Sequence, residues 1–228
     1  IANSVNKASL ILSRQNEARA NWISGVSHDI RTPLAIILGN AEELEHAPEL
    51  TESSRKKAAT VRKQSIKIKK LIEDLNLISS LEYDMQPSKK HPVSICPLLR
   101  ETVCDICNNI SESYTIDVDL HAENAVVSGD ESLLGRAFFN IINNSIVHNP
   151  DGCIISISES VQDQNVLIEI RDNGCGIDEA VIQNSDELLQ GRHGLGLSMT
   201  RKIVKAHGGT LGIRNDEGCV VTIKIPVI

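Results

Sequence analysis

In the first third of the chain, apolar residues recur every three or four positions: Val5, Ala8 and Leu12, then Trp22, Val26, Ile30, Ile37, Ala41 and Leu44. That is the period of one helix face, and it predicts a single long helix over 4–46. His46-Ala-Pro-Glu-Leu-Thr51 interrupts the pattern. Thr51 or Ser53 can accept the free N–H groups of a second helix, which continues through Val61, Ser65, Ile68, Ile72, Leu75 and Ile78 to about Leu81. Two such helices across a short turn make an antiparallel hairpin whose apolar stripe two helices alone cannot bury. Pairing two hairpins into a four-helix bundle buries it, so a homodimer is expected; the plainer alternative is a coiled-coil spacer. From Glu82 to Val93 the chain has two prolines and no periodicity, as a linker should. The expected division is a helical hairpin over 1–82, a linker over 83–93 and a second domain over 94–228.

In that second domain the pattern becomes mixed. Helices are expected near 94–110, 130–148 and 197–207, and strands at 114–120, 153–159, 166–171, 210–214 and 219–226. Alternation such as Val-Leu-Ile-Glu-Ile in 166–170 fits a sheet with one face covered by helices. The fold class is therefore α+β: a helical hairpin followed by an α/β sandwich.

Composition narrows the function. Aromatic residues make up 2% of 228 residues, too few for the stacking platform of a single-stranded nucleic-acid binder, and no nucleic-acid role is expected. Six scattered cysteines suit reduced, packed thiols better than a disulfide framework. Cys104-x-x-Cys107 falls in a helical apolar pattern with no second pair, so packing is preferred over a redox or metal role. No apolar run reaches the roughly 18–20 residues that span a bilayer, and the chain starts at Ile1, as a fragment of a longer protein would. Residues 1–90 hold 14 cations and 11 anions, whereas 91–228 hold 9 and 19. Eight of the cations lie within 52–70 against Glu52 alone. Such a stripe serves an acidic protein partner, an anionic lipid, or merely solvation.

Four segments carry chemistry. Ser27-His28-Asp29-Ile-Arg-Thr32-Pro33 places an imidazole beside a carboxylate, with a hydroxyl one helical turn on. The carboxylate can fix the tautomer and take up positive charge while the other ring nitrogen attacks phosphorus. Pro33 removes an N–H and should kink the helix. Asn140, Asn144 and His148 recur every four residues, forming a polar face on a helix; a side-chain amide oxygen can serve Mg²⁺. Asp172-Asn-Gly174-Cys-Gly176 follows a strand, and its glycines let backbone approach a ligand. Gly194-Leu-Gly196 opens an apolar helix whose free N–H groups can receive phosphate.

In this order the four segments resemble the H, N, G1 and G2 boxes of bacterial two-component sensor histidine kinases, and the resemblance runs from about residue 20 to the C-terminus. It implies that His28 is the phosphoacceptor, Asp29 its assisting base, and Thr32 the residue that positions water to dephosphorylate a partner. It implies further that Asn144 binds Mg²⁺, Asn140 approaches the ATP phosphates, His148 lies against adenine, and Asp172 accepts from the adenine amino group. Gly174, Gly176, Gly194 and Gly196 would complete the ATP cradle. Val147 stands where the family often has a lysine or arginine, with Arg192 or His193 expected to substitute. His207-Gly-Gly209 also resembles the family. Between Ile177 and Gly191 the phenylalanine-bearing F box and the longer lid are missing, so a mobile lid over 178–191 and weak ATP affinity are expected. The implied activity is autophosphorylation from ATP·Mg²⁺ and transfer to a response regulator receiver domain, in a cytoplasmic portion tethered through a sensor region outside this chain. A phosphatase-dominant, weakly kinasing scaffold is the alternative. An ATP-hydrolysing clamp of the gyrase type would want a glutamate in 136–144, and there is none.

Overall fold

The computed structural model describes residues 2–84, 90–179, 182 and 195–228. The chain forms two compact units, Ile1–Tyr83 and Asp84–Ile228.

The first unit is a hairpin of α1 (Ala2–His46) and α2 (Glu52–Asp84). Helix α1 is continuous through Pro33. Thr51 Oγ1 accepts the Ser54 N–H at 3.3 Å, capping α2. The seam between the helices is made of small and aliphatic side chains: Ile23, Ser27, Leu34 and Ala41 are buried on α1, and Ala58, Ser65 and Ile78 on α2. Ser27 donates to Asn76 Oδ1 at 2.7 Å, and Arg62 donates to Glu45 at 2.6 Å, so the helices are pinned near both ends of the seam. A second, heptad-spaced apolar stripe stays exposed: Ile30, Ile37 and Leu44 on α1, with Val61, Ile68 and Leu75 on α2.

In order, the second unit runs β1 (His91–Ser94), α3 (Ile95–Cys107), β2 (Thr115–Leu120), β3 (Val126–Gly129), α4 (Glu131–His148), β4 (Ile154–Gln162), β5 (Asn165–Asp172), α5 (Leu195–Ala206), β6 (Thr210–Asn215) and β7 (Cys219–Pro226). Among the described residues, five strands form a sheet in the order β2-β4-β5-β7-β6. Only β2 and β4 run parallel.

Two strands depart from the expectation. His91–Ser94, expected to be part of a linker, pairs antiparallel with Val126–Gly129, with Val93 opposite Val127. Neither four-residue strand has room to show alternation, and Pro92 and Gly129 disguise them. Tertiary pairing decides: Val127 is fully buried and also bridges Val227, while the Ile228 N–H donates to Val126 O at 3.0 Å.

The sheet is one-sided, as its alternation requires. Ile155 and Ile157 of β4, Val166, Ile168 and Ile170 of β5, and Ile223 and Ile225 of β7 are buried, whereas Ile154, Ser156 and Ser158 face solvent. Helices supply the other half of the core through Ile95 and Leu99 of α3, Leu134, Phe138 and Ile142 of α4, and Met199 and Ile203 of α5. Each fully buried large side chain contributes roughly 1.5–3 kcal/mol, which explains how a chain with few aromatic residues builds a core. An inward position on β4 is polar. Glu159 is buried in phase with Ile157; its Oε2 accepts the Ala122 N–H while Oε1 has no partner among the described residues, and burial pushes its carboxyl above the usual range.

Candidate nucleotide site and phosphoacceptor histidine

The period of two along β5 carries Val166, Ile168 and Ile170 to the helix-covered face and delivers Asp172, the last residue of the strand, to the same face. Asp172 is 4% exposed, and its carboxylate accepts three donors from the protein. Oδ1 accepts the N–H groups of Gly174 at 3.0 Å and Cys219 at 3.3 Å, and Oδ2 accepts the Ser145 hydroxyl at 2.7 Å. Beside it a cavity of about 180 Å³ opens, bounded by Ile141, Asn144, Ser145 and His148 of α4 and closed below by Leu197 and Val221. Those four α4 residues follow the i, i+3, i+4, i+7 spacing of one helix face. The lining stripe is thus rotated from the 140/144/148 stripe read from sequence: Asn144 and His148 line the cavity, and Asn140, buried at 7% exposure, borders Gly196 instead.

The glycine loop is held by amides that the sequence reading passed over. Asn149 donates through Nδ2 to Ser145 O at 2.7 Å and accepts the Cys175 N–H on Oδ1 at 3.0 Å, stapling the loop to the end of α4. A Cβ at Gly174 would lie 1.9 Å from Asn149 Oδ1, so glycine is required there by close approach. Gly176 lines the cavity with φ +72°. Asn215 then grips the loop exit, its Oδ1 accepting Ile177 N–H at 2.9 Å and its Nδ2 donating to Ile177 O at 2.8 Å. At the same end of α4, the Tyr114 hydroxyl lies 2.9 Å from Asn149 O and 3.2 Å from Ile146 O, adding a side-chain donor to carbonyls at the helix terminus. The available signal for Ser145 was the helical period from Ile141. Asn149 and Asn215 carried none, because the loop they hold lies 26 and 38 positions away along the chain.

Gly196 is a glycine of a different kind. Among the described residues, a Cβ there would touch Asn140 Cγ and Asn144 Oδ1, each at 3.9 Å, which is ordinary contact. Packing among the described residues does not demand glycine at 196; instead its absent side chain leaves open the space between the two asparagine amides and the start of α5. Among the described residues Asn140 Nδ2 is buried with no partner, an unsatisfied donor of the kind an anionic group would satisfy. An open cradle, an unpaired N–H donor and a helix N-terminus suit phosphate. No group of three His, Cys, Asp or Glu that would hold a cation occurs among the described residues. A cation here would take Asn144 Oδ1 and otherwise phosphate oxygens and water, a donor set that suits Mg²⁺. Arg192, Gly194 and the lid expected over 178–191 fall wholly or largely outside the described residues.

The cysteines around the pocket are quiet. Burial, with the Asp172 carboxylate adding to it, pushes the Cys219 thiol up to about 11 and raises Cys153 as well, so both stay protonated packing groups.

At the far end of the same helices, His207 joins α4 to α5. Its Nδ1 sits 2.7 Å from Ile203 O, and its Nε2 accepts the Asp130 N–H at 3.0 Å. Asp130 caps α4, its side chain accepting the Leu133 N–H at 3.1 Å. Both bonds at once require the neutral Nδ1–H tautomer, and burial lowers the imidazole below its usual value.

In the hairpin unit, His28 and Asp29 are exposed by 77% and 84%, with His28 Nδ1 3.5 Å from Asp29 Oδ1. Thr32 is exposed on the same helix. A proton on Nδ1, facing Asp29, leaves the Nε2 lone pair open to solvent.

Comparison with known proteins gives two family matches. Residues 18–84 match the His Kinase A phosphoacceptor domain, and residues 129–228 match the histidine kinase-, DNA gyrase B- and HSP90-like ATPase domain. The sensor histidine kinase YvrG of Bacillus subtilis is 31% identical over 90% of this chain and 38% of its own length. The probable sensor histidine kinase TcrY of Mycobacterium tuberculosis is 28% identical over 86% of this chain and 43% of its own. The chain thus spans about two fifths of the length of these relatives. Among solved structures, full-length ShkA in complex with AMPPNP superposes with a TM-score of 0.77 at 22% identity, covering 91% of this chain and 46% of that one. The histidine kinase AdeS of Acinetobacter baumannii gives 0.64 at 23% identity, covering 87% and 97%.

Proposed function

Since the chain belongs to the two-component histidine kinases, represented by their phosphoacceptor and ATPase domains, we propose that it binds ATP with Mg²⁺, phosphorylates His28 and passes the phosphoryl group to an aspartate of a response regulator receiver domain. The observation that carries this reading is the open cradle between Asn140, Asn144 and Gly196, beside the buried Asp172 carboxylate, in a chain that also exposes His28. Asp172 accepts a proton of the adenine amino group and His148 flanks the base. Asn140 Nδ2 donates to phosphate, and Asn144 offers its oxygen to Mg²⁺, which when bound neutralises phosphate charge. Gly194 and Arg192 belong to the same phosphate side. At the acceptor, Asp29 orients the imidazole with Nδ1–H towards itself. Nε2 then attacks the γ-phosphorus, an N–P bond forms as the bond to the ADP oxygen breaks, and the Nδ1 proton passes towards the carboxylate. The site's contribution is positioning and charge.

Thr32 orients water when the partner regulator is dephosphorylated. The active species is a homodimer, supported by the exposed heptad stripe, and the chain is the cytoplasmic portion of a membrane sensor whose sensory region it does not span. Among the described residues no helix is long and apolar enough to cross a membrane. A second reading, a phosphatase-dominant scaffold with weak kinase activity, is favoured by Val147, an exposed aliphatic residue where a phosphate-facing cation is usual. Incubation with labelled ATP and Mg²⁺ tests the first reading. Label that is lost in acid and kept in base is expected, as for a phosphoramidate; absence of label in a protein that still dephosphorylates a regulator selects the second.

A further inference from the structure

We propose that Ser145 determines specificity at position 6 of the purine, acting with Asp172 as a two-oxygen acceptor that admits a 6-amino group and refuses a 6-oxo group. The inference rests on the nucleotide reading of the pocket and goes beyond it, because Asp172 alone does not fix what its surroundings accept.

Ser145 lines the cavity at 7% exposure and donates its one hydroxyl proton to Asp172 Oδ2 at 2.7 Å. A serine hydroxyl has one donor and two acceptor sites. With the donor committed to a carboxylate, a charge-assisted bond and so a strong one, lone pairs are what Ser145 has left for a ligand. Oδ2 itself keeps room for a second donor.

The surroundings prevent this pair from reversing polarity. Oδ1 is tied to the Gly174 and Cys219 N–H groups, so the carboxylate cannot swing away. The Ser145 backbone is held as well, its carbonyl accepting from Asn149 Nδ2 at 2.7 Å and from Cys153 Sγ at 3.7 Å. A 6-amino group arrives with two N–H donors and meets two acceptors. A 6-oxo group arrives with lone pairs and meets lone pairs. To receive it, Ser145 would have to turn its proton from Oδ2 and leave a nearly buried carboxylate oxygen without its hydroxyl donor.

ADP and IDP, which differ in the 6-substituent and in the proton that the 6-oxo base carries on N1, are the probes, measured by calorimetry with Mg²⁺ on the whole chain. Wild type should prefer ADP. In Ser145→Ala the preference should fall about tenfold, because ADP binding weakens while IDP binding stays unchanged. Ser145→Thr, which keeps the hydroxyl, should restore the wild-type ratio. An unchanged ADP-to-IDP ratio in Ser145→Ala overturns the inference, and so does an equal loss of both affinities, which would mark Ser145 as structural only. If wild type binds neither nucleotide, the reading of the pocket itself fails, an outcome distinct from either of these.

Discussion

At the scale of single residues, Gly174 and Gly196, which both face asparagines, make opposite predictions. Gly174→Ala drives a Cβ into Asn149 Oδ1, which breaks the staple between loop and helix. It should lower both the melting temperature and the ATP affinity, the stability loss being about 1–3 kcal/mol. Among the described residues Gly196→Ala meets only ordinary contacts at 3.9 Å, and alanine is the better helix former by up to about 1 kcal/mol. Its melting temperature should hold or rise while ATP affinity falls, because the methyl occupies the cradle. Paired thermal melts and calorimetry separate the two; equal ATP affinity in Gly196→Ala and wild type would remove the phosphate from this space. At the acceptor, His28→Gln should abolish the acid-labile label and leave ATP affinity unchanged, since His28 and the pocket belong to different compact units. Retained labelling would move the acceptor elsewhere.

At the scale of elements, the packing of α4 against α5 passes through one imidazole. His207 is neutral when folded and its value is depressed, mainly by burial. Its ordinary value is near 6.5. Above that value folded and unfolded states bind the same number of protons there; below it the unfolded chain takes one up first, so stability falls as pH drops from about 6.5 towards the lowered folded value. Glu159 acts in the opposite sense, its raised value favouring the folded state more at low pH. The difference between wild type and a variant therefore isolates the histidine. His207→Gln should lose about 1–3 kcal/mol at pH 7.5 by unsettling the Asp130 N–H, and its denaturation midpoint should be flatter between pH 7 and pH 5.5 than that of wild type. Parallel pH profiles would show that His207 does not titrate on unfolding.

For the molecule as a whole, the first unit leaves Ile30, Ile37 and Leu44 exposed at seven-residue spacing on one helix and Val61, Ile68 and Leu75 on the other. Seven-residue spacing makes a continuous seam for another helix pair. Sedimentation should show a dimer of wild type and a monomer of Ile37→Lys/Ile68→Lys, with ATP affinity unchanged because the pocket lies in the second unit. A dimer that persists with both lysines would mean that this stripe is not the interface.

The hairpin helices, the three later helices, the strands of the five-stranded sheet and its one-sidedness were written in the period of the apolar residues, because burial of one face imposes that period on any chain that folds this way. His28 with Asp29 was legible for the same local reason, both lying within one helical turn. Asp172 and its glycines stood out as a strand end followed by a tight turn. What surrounds Asp172 was not legible. Ser145, Asn149, Cys219 and Asn215 reach the loop from a helix and two strands up to 47 positions away, and β1 and β3 exist only because each pairs with the other. The rotation of the α4 stripe, which brings Ile141, Asn144, Ser145 and His148 to the cavity and sets Asn140 beside Gly196, is likewise set by packing against α5 and the sheet. Period is a property of neighbours along the chain, whereas a binding site's polarity depends on which donors meet across it, and only the tertiary structure decides that.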